Sequence, residues 1–169
     1  MGYYQDVVVE YLRENRAIFI NTECCIQLHE GTNNNIGPHW YCDALAVDFA
    51  KKSVYLCEVT YALELGALLK RLSAWNANWP GVKASLERDC RLDRREWSVM
   101  PWVFIPERCR STADAKLKTF IHAPAEADTM PFPKITSLEC IVPWNPERWT
   151  SKEAAKSHQS ETPPGERRK

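Results

Sequence analysis

No apolar run in this sequence approaches the length needed to span a bilayer. The first six residues, Met1-Gly2-Tyr3-Tyr4-Gln5-Asp6, lack the basic start and apolar stretch of a signal peptide. Together these absences lead to the expectation of a cytoplasmic protein in a reducing compartment, with no membrane partner. A disulfide framework is also missing. The seven cysteines are odd in number, Cys24 and Cys25 are adjacent, and no pair has C-x-x-C spacing. The four histidines form no ligand ladder with them, so a structural zinc site is not expected. Cys42 and Cys57 lie inside apolar runs, where cysteine behaves as a small core residue.

What is present suits a globular domain. With 169 residues, 44% of them hydrophobic and seven of them tryptophan, the chain can build one core without staples. Apolar residues vanish after Ser151, so residues 1–150 are expected to form the domain and residues 151–169 a disordered tail. Net charge is zero but unevenly placed. Residues 1–69 hold four Lys/Arg against nine Asp/Glu, and residues 70–118 hold eleven against six. An acidic half beside a basic middle suits a metal site next to a polyanion-binding surface, or simply a solvated helix face.

Periodicity supplies the elements. Residues 5–15 read as an amphipathic helix, 17–28 as a strand and 29–38 as a turn-rich loop. Two short apolar runs, 40–49 and 54–61, flank the polar turn Ala50-Lys51-Lys52-Ser53 and read as a hairpin. Both runs are apolar on both alternating faces, as in a sheet covered by helices on each side. Helices follow over 62–76 and, after a Pro80-Gly81 break, over 82–92. Residues 97–105 read as a strand that Pro101 confines to an edge or a bulge. A helix over 112–122 and a strand over 135–142 complete an α/β sandwich with a mixed sheet.

Two acids stand where strands normally carry apolar groups: Asp43 early in the second strand and Glu58 late in the third. With the turn centred between Lys51 and Lys52, Asp43 faces Thr60 and Leu45 faces Glu58. Alternation then puts Asp43, Glu58 and Thr60 on one face and Asp48 on the other, with diagonal neighbours within about 8 Å. Two carboxylates that close repel unless a cation lies between them, and Mg²⁺ or Mn²⁺ satisfies oxygen ligands of this kind. The structural alternative is that Asp43 caps the start of the strand and Glu58 pairs with Arg71 or another arginine.

The strand carrying Asp43, the turn, the strand carrying Glu58-Val59-Thr60 and the helix after it resemble the core of the PD-(D/E)XK nucleases. The resemblance covers roughly residues 5–105, including the leading helix. It implies a three-layer, restriction endonuclease-like sandwich and a Mg²⁺-dependent endonuclease acting on nucleic acid, DNA foremost. It further implies a metal held by Asp43, Glu58 and the carbonyl of Val59, and a homodimer as one assembly. In this family the leading helix sometimes adds an acid, a role open to Asp6 or Glu10. Two positions depart from the pattern: Cys42 stands in place of proline, and Thr60 in place of the lysine. A lysine supplies positive charge beside the attacking water, which a threonine hydroxyl does not. Lys51 and Lys52 lie about 26 Å from Asp43 along the strand, out of reach. Lys70 falls off the apolar face of its helix. The resemblance therefore carries two expectations: a nuclease in which Thr60 orients the water, and a catalytically degenerate relative that binds nucleic acid or protein without cleaving. Further from the acids, Trp75, Trp79, Trp97 and Trp102 are candidates for base stacking or for the core, and Arg91, Arg94 and Arg95 for phosphate contacts or solvent. His39, just before the second strand, is a candidate to approach the site or a surface residue.

Overall fold

The computed structural model describes residues 2–28, 39–93, 96–121 and 129–141. The expected tail, residues 151–169, and Arg94 and Arg95 lie outside them. The chain runs α1 (Tyr3–Arg13), β1 (Ile18–Gln27), β2 (His39–Asp48), β3 (Ser53–Val59), α2 (Gly66–Ala77), α3 (Trp79–Cys90), β4 (Ser98–Ile105), α4 (Arg110–Leu117) and β5 (Lys134–Ser137). The five strands form one mixed sheet in the order β1-β2-β3-β4-β5. β1, β2 and β3 pair antiparallel, and β4 and β5 add on parallel. Parallel neighbours require crossovers; α2 and α3 make the first and α4 the second. Among the described residues, no helix is long and apolar enough to cross a membrane.

Helices cover both faces, as the two-sided apolar strands require. On one face Leu45, Val54, Leu56, Val103 and Ile105 pack under Leu68, Leu72 and Trp75 of α2 and Trp79, Val82 and Leu86 of α3. On the other, Ala44, Ala46, Tyr55, Cys57, Trp102 and Phe104 pack under Val8 and Leu12 of α1. Trp75, Trp79 and Trp102 are thus core residues rather than exposed stacking platforms. Trp97 is half-buried against Phe49.

Several bounds differ from the sequence reading: the strand expected over 135–142 ends at Ser137 and a 3-10 turn, Leu138–Cys140, follows it, and the helix expected over 112–122 runs Arg110–Leu117. Pro80 does not break the helical stretch before 82; it sits in the first turn of α3, where its missing N–H would have had no partner. β4 is not an edge strand but lies between β3 and β5. β5 pairs only from Trp102 onward, so Pro101 has a ladder partner, Leu56, on the β3 side alone. Proline is tolerated where one flank of its strand is locally open.

The alternation of β1 and β2 is interrupted at one level. In β1, Ile18 and Ile20 pack on the α1 side, yet Cys24 and Ile26 pack on the α2–α3 side. In β2, Trp40 and Cys42 join the α2–α3 side, whereas Ala44 and Ala46 join the α1 side. Even-numbered residues therefore change faces between 20 and 24 on one strand and between 42 and 44 on the other. The ladder passes from Thr22↔Ala44 to Cys24↔Cys42, leaving Glu23 opposite Asp43 at the change. Glu23 has φ 52°, in the left-handed region that side chains with a Cβ disfavour.

That backbone strain is testable by denaturation. Glu23→Val should lower stability by up to about 1 kcal/mol beyond the left-handed cost Glu23 already bears, because a β-branched residue fits positive φ worst. Glu23→Gly, which removes the same side chain but relieves the backbone, should be more stable than Glu23→Val. Equal losses in the two variants would assign the cost to the side chain instead.

Candidate active site

Asp43 owes its placement to the face change. A residue in regular alternation commits its side chain to one side of the sheet, whereas Asp43 reaches elements on both. Its Oδ2 accepts the backbone N–H of Val59 at 2.7 Å, and its Oδ1 accepts the side-chain amide of Gln5 at 2.7 Å. Gln5 is itself oriented, because its amide oxygen accepts the N–H of Gly2 at the start of α1. The acid thus ties β2 to the end of β3 and to the first turn of α1.

The hairpin register differs from the expected one by two residues. Asp48 pairs with Ser53 and Ala44 with Cys57, so one step further Asp43 lies opposite Glu58 rather than opposite Thr60. The cause is the loop of residues 49–52, in which Asp48 accepts the N–H of Lys51 and Lys52 adopts φ 49°. A shift of two preserves the face, so Asp43 and Glu58 come still closer together than anticipated. Asp48 lies on the opposite face, beside Tyr55 and Trp102.

Glu58 is 3% exposed and points toward α2. Its Oε2 receives an N–H of the Arg71 guanidinium, the pairing weighed as the structural alternative. Its Oε1 is buried and accepts no hydrogen bond from the described residues. Burial first, and then the charge of Asp43, push the Glu58 carboxyl up to about 8, against the opposing pull of Arg71.

Asp43, Glu58, Val59, Thr60 and Arg71 line one small cavity of about 120 Å³ with Ala67 and Leu68. A larger hollow of about 300 Å³ adjoins it, lined by Gln5, Glu23, Tyr41, Cys42, Asp43 and Arg71. The site lies at the carboxyl end of β3, the end at which open α/β sheets receive ligands. Thr60 hydrogen-bonds through its N–H to Phe104, and its Oγ1 accepts the N–H of Ala62 at 3.2 Å.

Other candidates fall elsewhere. Asp6 and Glu10 are exposed, and Glu10 pairs with Arg13; the leading helix contributes Gln5 instead. Lys70 is exposed. Lys51 and Lys52 are at the far end of the hairpin, beside Asp48 and Glu96. His39 opens β2 against the ring of Tyr41 and lines neither hollow. Arg91 ends α3 in a left-handed cap. Sequence reasoning missed Gln5 and Glu23. Only the proximity of Gln5 to the chain start and to Asp6 hinted at the first, and nothing local signals the second.

No protein-family model matches the chain, and neither a curated protein nor a solved structure matches it.

The raised Glu58 value has a stability consequence. The folded protein holds this proton more tightly than the unfolded chain, whose carboxyl titrates near 4.5. The associated stability is complete below the unfolded value and is lost as pH rises through about 8. Measured by urea unfolding, wild type should therefore lose stability relative to Glu58→Gln between those two values and track it above them. A constant difference across that range would show that Glu58 titrates normally.

Proposed function

We propose that the chain is a divalent-cation-dependent nuclease with a restriction endonuclease-like core, hydrolysing phosphodiester bonds in nucleic acid, DNA foremost. One observation carries the reading: Asp43 and Glu58 meet across a hairpin in one cavity, and Glu58 Oε1 is buried there without a partner. A binding scaffold gains nothing from two repelling acids, one of them buried. The element order α1-β1-β2-β3-α2, with the acids on β2 and β3, supports the likeness to the PD-(D/E)XK core.

The donor set fits a hard cation. Carboxylate oxygens accept more than one contact, so Asp43 retains lone pairs beyond its two hydrogen bonds. Glu58 Oε1 is unspent, and Val59 lines the cavity. Asp43, Glu58 and the Val59 carbonyl would hold Mg²⁺ or Mn²⁺. Such an ion, when bound, supplies Lewis-acid polarisation of a phosphoryl oxygen and lowers the pKa of water.

The chain's own groups have separate tasks. Gln5 and the Val59 N–H fix the Asp43 carboxylate, so that it need not reorganise during reaction. Thr60 Oγ1 accepts from Ala62, which leaves its hydroxyl proton free to orient a water. In the hydrolysis, the water oxygen bonds to phosphorus and the bond to the leaving ester oxygen breaks. The water gives up one proton to solvent, and the leaving oxygen takes one back.

A second reading is favoured by one specific contact. Arg71 neutralises Glu58 from within the protein, as a relative that binds without cleaving would do.

Isothermal titration with Mn²⁺ and Mg²⁺ separates the two readings. Wild type should bind one of these ions saturably, and Asp43→Asn and Glu58→Gln should each lose the binding. Mn²⁺-dependent cleavage of DNA should fall at least about a hundredfold in both variants. Absence of metal binding by wild type, even with DNA present, sinks the nuclease reading in favour of the second.

A further inference from the structure

We propose that Arg71 is the phosphate-binding residue of this site, filling the electrostatic role that Thr60 leaves vacant; this rests on the nuclease reading for its substrate. Among the described residues, Arg71 is the one lysine or arginine that lines either hollow. Arg71 and Asp43 line both, with Glu58, Val59 and Thr60 in the smaller and Gln5, Glu23 and Tyr41 in the larger. The side chain is 39% exposed while the glutamate it pairs with is 3% exposed, so Arg71 stays accessible while holding a buried partner.

A guanidinium carries five N–H donors in a planar fork, and phosphate oxygens match that fork in pairs. Among the described residues the hydrogen bonds of Arg71 go to Glu58 alone. Donors therefore remain for a second oxyanion without loss of the first. Glu58 also holds the group in position, which limits the rotamer entropy lost on binding. A phosphodiester seated in the larger hollow would meet this fork beside Asp43, with its phosphorus next to the small cavity. Of the other described cations near this end of the fold, Lys70 is exposed and lines neither hollow, and Arg108 lies over the ring of Tyr61; Lys51 and Lys52 are at the far end of the hairpin.

A purely structural role, neutralising buried Glu58, would leave substrate binding unmoved. Because Arg71→Ala alone strands a buried carboxylate and threatens the fold, the test uses the Glu58→Gln background. Fluorescein-labelled duplex DNA is titrated by anisotropy at several salt concentrations, in EDTA, with Glu58→Gln, Glu58→Gln/Arg71→Ala and Glu58→Gln/Arg71→Lys. Loss of Arg71 should weaken binding about tenfold and reduce the slope of log affinity against log salt by about one. Lysine should restore the slope and part of the affinity. Equal affinity and slope with and without Arg71, or no DNA binding by any variant, overturns the proposal. Wild-type cleavage with Mn²⁺ is scored separately. Arg71-dependent binding without cleavage would remove the nuclease reading and keep the phosphate site. Cleavage with Arg71-independent binding would do the reverse.

Discussion

The carboxylate of Asp43 ties three elements, β2, β3 and α1, together at a single point. One oxygen takes the N–H at the end of β3 and the other takes the amide at the start of α1. Hydrogen bonds to an ionised acceptor are stronger than neutral ones, so this small junction is stiff. It holds the carboxyl end of β3 against the first turn of α1. The ionisation of Glu58 depends on the same carboxylate, because the charge of Asp43 is the second-largest influence raising that carboxyl.

Glu58 then presents the opposite problem. It is an acid in an apolar strand, next to another acid, with one oxygen unsatisfied. A buried ion pair contributes little net stability against a well-packed apolar alternative. Arg71 offsets the burial without making it favourable, and the carboxyl still sits well above its ordinary range. Retaining such an arrangement in the middle of a sound core is the pattern expected where charge serves binding rather than folding.

Much of this was legible because strand alternation is local. That Asp43 and Glu58 share a face while Asp48 does not follows from counting by twos, and it survives a register error of two. The partner across the hairpin did not follow, since it depends on a loop conformation with Lys52 at positive φ. The α/β class and mixed sheet were readable from the order of apolar runs, whereas the interior place of β4 was not. Pro101 argued for an edge, and only the short reach of β5 reconciles the two. Gln5 was invisible for another reason: which turn of α1 docks beside β2 is a tertiary fact with no period in the sequence. The pairing of Glu58 with Arg71 was foreseeable as an alternative, because α2 follows β3 after a short connection.

The kink at Glu23 bears on more than the acid opposite it. β1 is the outermost strand of the antiparallel side, and Phe19 on it is 65% exposed. A straight strand of ten residues with such a side chain would offer a continuous template for pairing with other molecules. A left-handed residue in its middle divides that template into two short, differently facing halves. The distortion that frees Asp43 from the regular pleat thereby also interrupts the outer ladder of the described sheet, as features that blunt strand edges do.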